Sequence, residues 1–279
     1  MITALVSRKG GVGKTTTAVS LATAVARRGR RVLLVDLDSQ CSASFSLGVG
    51  RSELAPSSAD LLLRDAPAPA LLRPTRIAGL DLITASVDLM GADVQLARSS
   101  GAGGFTHRLR TGLESVRELY DFVFIDCPPS LTLLPQTALV AADAFLVPVV
   151  PQYLAVEGIH NLLQTAARLA PRTGGYAPDL LGLVLTMVDY RTRATRENVT
   201  RVRRRFGEKV FAVEIRINVR LAEAPEAGQP IAVFDPDSTG ARAYDLLAEE
   251  FLYRAEAATA SSSSPESPPV RAGGFETVS

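Results

Sequence analysis

The chain alternates short, wholly apolar runs with longer segments whose apolar residues recur every three or four positions. A run apolar on both sides fits a strand covered from above and below, and the helical recurrence fits amphipathic helices laid on such a sheet. Residues 2–7 make the first β-prone run. Across residues 15–28, Ala18, Leu21, Ala22 and Val25 mark one face of a helix that stops at Gly29. Val32-Leu33-Leu34-Val35 then reads as a buried strand running into Asp36-Leu37-Asp38, which completes a βαβ unit. Further strands are expected at 80–84, 122–125, 144–149 and 181–187, and helices at 108–119, 156–169 and 195–206 among others. This order predicts an α/β fold: a doubly wound, mostly parallel sheet with helices on both faces.

The pattern weakens in three places. Residues 54–74, rich in Ala and Pro around a short apolar patch, are expected to be a surface excursion and not a second domain, and residues 99–104 a Gly/Ser turn. Beyond Glu256 the chain turns to Ser and Pro, too poor in apolar residues to offset the entropy of ordering. The expected organisation is one domain over 1–256 and a disordered tail over 257–279, with no internal repeat.

With 279 residues, 47% of them hydrophobic and 21% charged, the composition is that of a soluble globular protein. No apolar run approaches the roughly 18 to 20 residues of a membrane span, and the first residues lack a signal-peptide pattern, so a cytoplasmic protein without membrane attachment is expected. Cys41 and Cys127 belong to no CxxC or metal-spaced cluster and are expected to be buried free thiols. The net charge of +1 gives no global basicity, but residues 191–220 hold ten Lys/Arg against Glu197, Glu208 and Glu214. That asymmetry predicts a local basic face.

Of the 30 basic residues only three are lysines, and two of them, Lys9 and Lys14, share one loop: Arg8-Lys9-Gly10-Gly11-Val12-Gly13-Lys14-Thr15-Thr16-Thr17. In a chain that defaults to arginine, this placement points to a need for compact ammonium groups. A glycine loop between strand and helix leaves backbone N–H groups free to surround an anion at the positive end of the helix dipole. Lys14 suits the β- and γ-phosphates of a nucleotide, and the Thr15 hydroxyl suits Mg²⁺. The ordinary phosphate loop has glycine where this chain has Arg8. A second requirement, a carboxylate at a neighbouring strand end, is met by Asp126, which closes Phe122-Val123-Phe124-Ile125 ahead of Cys127-Pro128-Pro129. Asp36 and Asp38 leave the second strand at the same edge, and spacing alone does not decide which of them would orient a nucleophile.

These motifs together resemble those of the ParA/MinD ATPases with a deviant Walker A loop. Residues 9–15 resemble that loop, and Val35-Asp36-Leu37-Asp38-Ser39-Gln40 and Ile125-Asp126-Cys127-Pro128-Pro129-Ser130-Leu131 resemble the two further motifs. Gly207-Glu208-Lys209-Val210-Phe211 and Asn218-Val219-Arg220-Leu221-Ala222-Glu223-Ala224-Pro225 bring the chain nearest the Soj-like partition branch, over about residues 1–254. The resemblance implies a P-loop ATPase that uses ATP and Mg²⁺ and forms a homodimer when ATP is bound. It implies that Lys9, Gly10, Gly11, Val12, Gly13, Lys14, Thr15 and Thr16 bind the phosphates, Lys9 reaching across to the partner's nucleotide while Lys14 serves its own. Asp38 takes the hydrolytic position, Thr15 and Asp126 stand near Mg²⁺, and Asn218 lies in a base-binding loop. It further implies non-specific binding of double-stranded DNA on the nucleoid, with Arg191, Arg193, Arg216 and Arg220 as candidate contacts, and a ParB-like protein that stimulates hydrolysis.

Arg216-Ile217 departs from the usual Pro-Arg before Asn218, Ser39 replaces a usual proline, and Val150-Pro151-Gln152 also differs from the family wording. The chain starts at its first strand, so the operator-reading extension of larger plasmid relatives is not expected. Alternative readings are a positioning ATPase for a non-DNA cargo, a non-hydrolysing nucleotide-bound scaffold, an electron-transfer ATPase, and a MinD-like membrane switch. The last would need a basic amphipathic helix, which residues 258–279 do not encode; the electron-transfer reading would need two suitably placed cluster cysteines.

Overall fold

The computed structural model describes residues 1–99, 104–130, 132–169 and 177–262. Among the described residues seven strands form one sheet: β1 (Ile2–Leu5), β2 (Val32–Asp36), β3 (Arg73–Pro74), β4 (Leu80–Ile83), β5 (Phe122–Asp126), β6 (Ala144–Val149) and β7 (Asp179–Leu185). They lie in the order β3-β4-β2-β5-β1-β6-β7, every neighbouring pair parallel except β3 against β4. The chain lays strands to one side of β1 until β5 and to the other side from β6 onward. The loop after β1 therefore opens at the point where the winding reverses, where parallel sheets leave a crevice.

The helices are α1 (Lys14–Ala26), α2 (Ser42–Ser46), α3 (Ser58–Arg64), α4 (Ala92–Ser99), α5 (Arg108–Arg117), α6 (Leu133–Ala141), α7 (Ala155–Ala167), α8 (Arg193–Phe206), α9 (Arg220–Glu226), α10 (Ile231–Phe234) and α11 (Thr239–Ser262). Strand residues alternate between two cores. Along β5, Phe122 and Phe124 enter the core shared with α1 and α11, where Phe251 meets them at ring distances of 5.3 and 5.1 Å. Val123 and Ile125 enter the opposite core, with Leu113 of α5 and Leu139 of α6. Both faces are covered, which is why the strand sequences carry no polar alternation.

Three expectations are revised. Residues 54–74 are not merely a surface excursion: α3 buries Leu61 and Leu62, Leu71 is buried, and β3 pairs antiparallel with β4. The signal was a capping box, in which Ser57 Oγ accepts from Ala59 N and Asp60 Oδ2 accepts from Ser57 N at 2.7 Å. The last strand is shifted to Asp179–Leu185, so Thr186 and Met187 leave the sheet, Met187 with a left-handed φ of 51°. Finally, α11 continues through Ser262, past the boundary expected at 256, because the run of Ala255, Ala257, Ala258 and Ala260 favours helix and Ala255 is buried. Residues 263–279, and most of the turn expected at 99–104, lie outside the described residues.

Candidate active site

The loop between β1 and α1 is shaped by Gly13, which caps the helix at φ 77°, a left-handed conformation that side chains disfavour. Its carbonyl accepts from Thr17 N at 2.8 Å and Thr17 Oγ1 at 2.7 Å, and Thr186 Oγ1, just past β7, donates to the Val12 carbonyl at 2.8 Å. With these carbonyls committed elsewhere, the loop is left to present N–H groups, and the first turn of α1 adds donors that have no helical acceptor. Lys14 is buried at the head of α1, while Thr15 and Thr16 are half-buried behind it.

Two carboxylates close adjacent strands in register, Asp36 on β2 and Asp126 on β5. Both are fully buried, but they are treated differently. Asp126 lies 3.8 Å from Lys14 Nζ, and neither of its oxygens receives a hydrogen bond of normal geometry. Burial pushes it up to about 6 against the opposing pull of Lys14 and the Thr15 hydroxyl, with Asp38 adding to the rise. Asp36 is engaged on both oxygens: Oδ2 accepts from Ser44 N at 2.9 Å and Ser44 Oγ at 2.7 Å, and Oδ1 accepts from Asp38 N at 3.1 Å. Burial and the neighbouring Asp126 hold it up at about 7 in spite of those donors. Asp38 sits just beyond the strand, nearly buried, with Oδ1 accepting from Gln40 N at 3.0 Å. The loop, Asp36, Asp38 and Asp126 thus meet at the carboxyl edge of the sheet.

Lys9 points away from this cluster, its ammonium donating to Gln152 Oε1 beyond β6. Asn218 is engaged within the chain, donating to Thr239 Oγ1 at 2.8 Å and accepting from Arg220 N at 2.8 Å. Three of the singled-out arginines are paired: Arg191 with Asp189 at 2.7 Å, Arg193 with Glu197 at 2.6 Å, and Arg220 with both Glu223 and Asp235. Several of those acids lie outside the counted window, so the basic excess is smaller in space than along the sequence. Arg216 instead stacks over Tyr190, with its guanidinium carbon 5.4 Å from the ring centroid. Exposed Arg204, on α8, has no ion pair or ring contact among the described residues. Ser44, Gln152 and Thr186 were missed from sequence; each is an ordinary polar residue whose role exists only through a distant partner.

A family model described as AAA domain matches residues 1–174. The chromosome-partitioning ATPase Soj of Thermus thermophilus is 46% identical over 259 residues, covering 91% of this chain and 96% of that protein. The chromosome partitioning protein ParA of Caulobacter vibrioides is 40% identical over 257 residues, covering 91% and 94%. The chain belongs to the ParA/Soj family. Among solved structures, one described as cobyrinic acid a,c-diamide synthase from Mycobacterium smegmatis, with a bound ATP analogue and magnesium, superposes with a TM-score of 0.77 at 34% identity, covering 91% of this chain and 95% of that one. The ParA/Soj fold accounts for the mostly parallel seven-stranded sheet and for the phosphate loop at its reversal point. Among the described residues no helix is long and apolar enough to cross a membrane.

Proposed function

We propose that the protein is a ParA-type partition ATPase of the cytoplasm and nucleoid. It pairs when it holds ATP, binds double-stranded DNA without sequence preference in that state, and is released by hydrolysis that a ParB-like partner stimulates. One observation carries the nucleotide reading: Asp126 is fully buried 3.8 Å from Lys14 Nζ with neither oxygen hydrogen-bonded, beside the glycine loop that opens α1. An empty buried carboxylate is costly unless a cation shell and its anion complete it. The names of the ParA and Soj relatives, and the nucleotide and magnesium in the Mycobacterium structure, support the same reading.

Thr15 and Asp126 would hold Mg²⁺, which supplies charge neutralisation at the phosphate oxygens. The loop N–H groups of residues 10–16 and Lys14 bind and orient the chain's own triphosphate. Asp38 orients the attacking water. Lys9 leaves Gln152 to reach the phosphates of a second copy, which couples nucleotide occupancy to pairing. Asn218 would contact the base only by exchanging its bond to Thr239. At the DNA face, Arg216 has no ion pair among the described residues, while Arg191, Arg193 and Arg220 can exchange weak exposed ion pairs for phosphates.

Conversion of ATP to ADP and phosphate, measured alone, with DNA, and with DNA plus the partner, tests this function. Stimulated turnover is expected, and Asp38→Ala should lower it by at least about a hundredfold while leaving ATP-dependent DNA binding intact. No hydrolysis under any of the three conditions would remove the enzyme assignment. Hydrolysis without DNA binding would favour a non-DNA cargo.

A further inference from the structure

We infer that Asp36 is a positioning residue for hydrolysis, acting by fixing the segment that carries Asp38; this rests on the ATPase reading above. The first motif aspartate is easily taken for a second metal or water ligand. Its carboxylate is already committed on both oxygens to this chain's own donors. It accepts from Ser44 N, Ser44 Oγ and Asp38 N, all within 3.1 Å, in a site with no exposure to solvent. Asp126, its register partner, keeps both oxygens open.

The three donors come from both ends of one short segment. Asp38 N lies at its start and Ser44 lies in α2, so a single carboxylate closes residues 38–44 into a loop clamped to the end of β2. The clamp extends further. Ser44 Oγ accepts from Ala85 N at 3.1 Å beyond β4, and Ser58 Oγ at the head of α3 donates to the Asp36 carbonyl at 2.6 Å. Asp38 itself is constrained on both sides, since its own Oδ1 accepts from Gln40 N and its carbonyl accepts from Cys41 N at 2.8 Å. A carboxylate that must aim a water within a fraction of an ångström needs this kind of support, because a misplaced group loses rate without losing ligand affinity.

Asp36→Asn is the direct test. An amide can still accept through one atom but cannot accept on both sides, so one end of the 38–44 segment is released. The expected result is turnover reduced at least tenfold with the affinity for a fluorescent ATP analogue changed less than threefold. Ser44→Ala should show a smaller loss of the same kind, and Ser44→Thr should recover most of it by restoring the hydroxyl. Amide hydrogen exchange provides a readout independent of hydrolysis: in Asp36→Asn the amide of Asp38 or that of Ser44, whichever faces the new NH₂ group, should exchange at least tenfold faster, while those of β1 and β5 keep wild-type protection. Unchanged exchange at Asp38 and Ser44 overturns the inference even if the wild type proves inactive. It also fails if turnover is normal in Asp36→Asn, or if affinity and turnover fall together with a general loss of protection. An inactive wild type with the local exchange effect present would instead count against the ATPase reading alone.

Discussion

Burial sets the behaviour of Asp126. Its pKa of about 6 lies above the value of about 4 for the unfolded chain. A carboxyl raised by folding stabilises the fold fully below its unfolded value, and that contribution is lost as pH climbs through the folded one. Compared with Asp126→Asn, the metal-free wild type is therefore expected to lose melting temperature as pH rises from about 4 through about 6, and the difference also carries the upward push that Asp126 exerts on neighbouring Asp36. Magnesium acts in the opposite sense, because a ligand carboxylate must be ionised. Mg²⁺ with ADP should raise the melting temperature of the wild type more at about pH 7.5 than at about pH 5. Calorimetry at constant ionic strength checks both, and an equal ligand shift at the two pH values would remove Asp126 from the metal shell.

At the scale of elements, the capping box on α3 and the basic stretch that runs from α8 to the start of α9 make separate predictions. Ser57→Ala should cost about 1 kcal/mol, read by urea denaturation, with nucleotide affinity unchanged. Glutamate substitutions at Arg204 and Arg216 should weaken binding to every duplex alike and flatten its salt dependence. An effect confined to one DNA sequence would contradict electrostatic binding. The strands and the phosphate loop were legible in the sequence because each is written locally, in a continuous apolar run or in Gly13-Lys14-Thr15. Asp126 was legible for the same reason, closing such a run. Segment 54–74 reads as a surface excursion because Pro56, Pro67, Pro69 and Pro74 interrupt its apolar residues before either period is established, and the burial of Leu61, Leu62 and Leu71 depends on α5 and β4 arriving from elsewhere. A count along residues 191–220 does not show how its arginines are paired, because Asp189, Glu223 and Asp235 lie outside that window but reach back to them. The hydrogen bond of Asn218 to Thr239 on α11 is not legible in the sequence, because the two residues are 21 positions apart.

For the molecule as a whole, the proposed ATP-dependent pairing is the property that would join these parts. Sedimentation should find a monomer without nucleotide and a dimer with ATP, and Lys9→Ala should stay monomeric in both while retaining most of its nucleotide affinity. A variant that dimerises like the wild type would end the cross-subunit role of Lys9. The two cysteines give a practical means of following that association. Both are buried, Cys41 at 1% and Cys127 at 0% exposure, and burial raises both thiols, Cys41 to about 11. Native protein should therefore be almost inert toward maleimide dyes. A single cysteine introduced on an exposed surface could then carry a fluorophore with little background labelling, and late uptake at the two natural thiols would time how often the whole molecule opens.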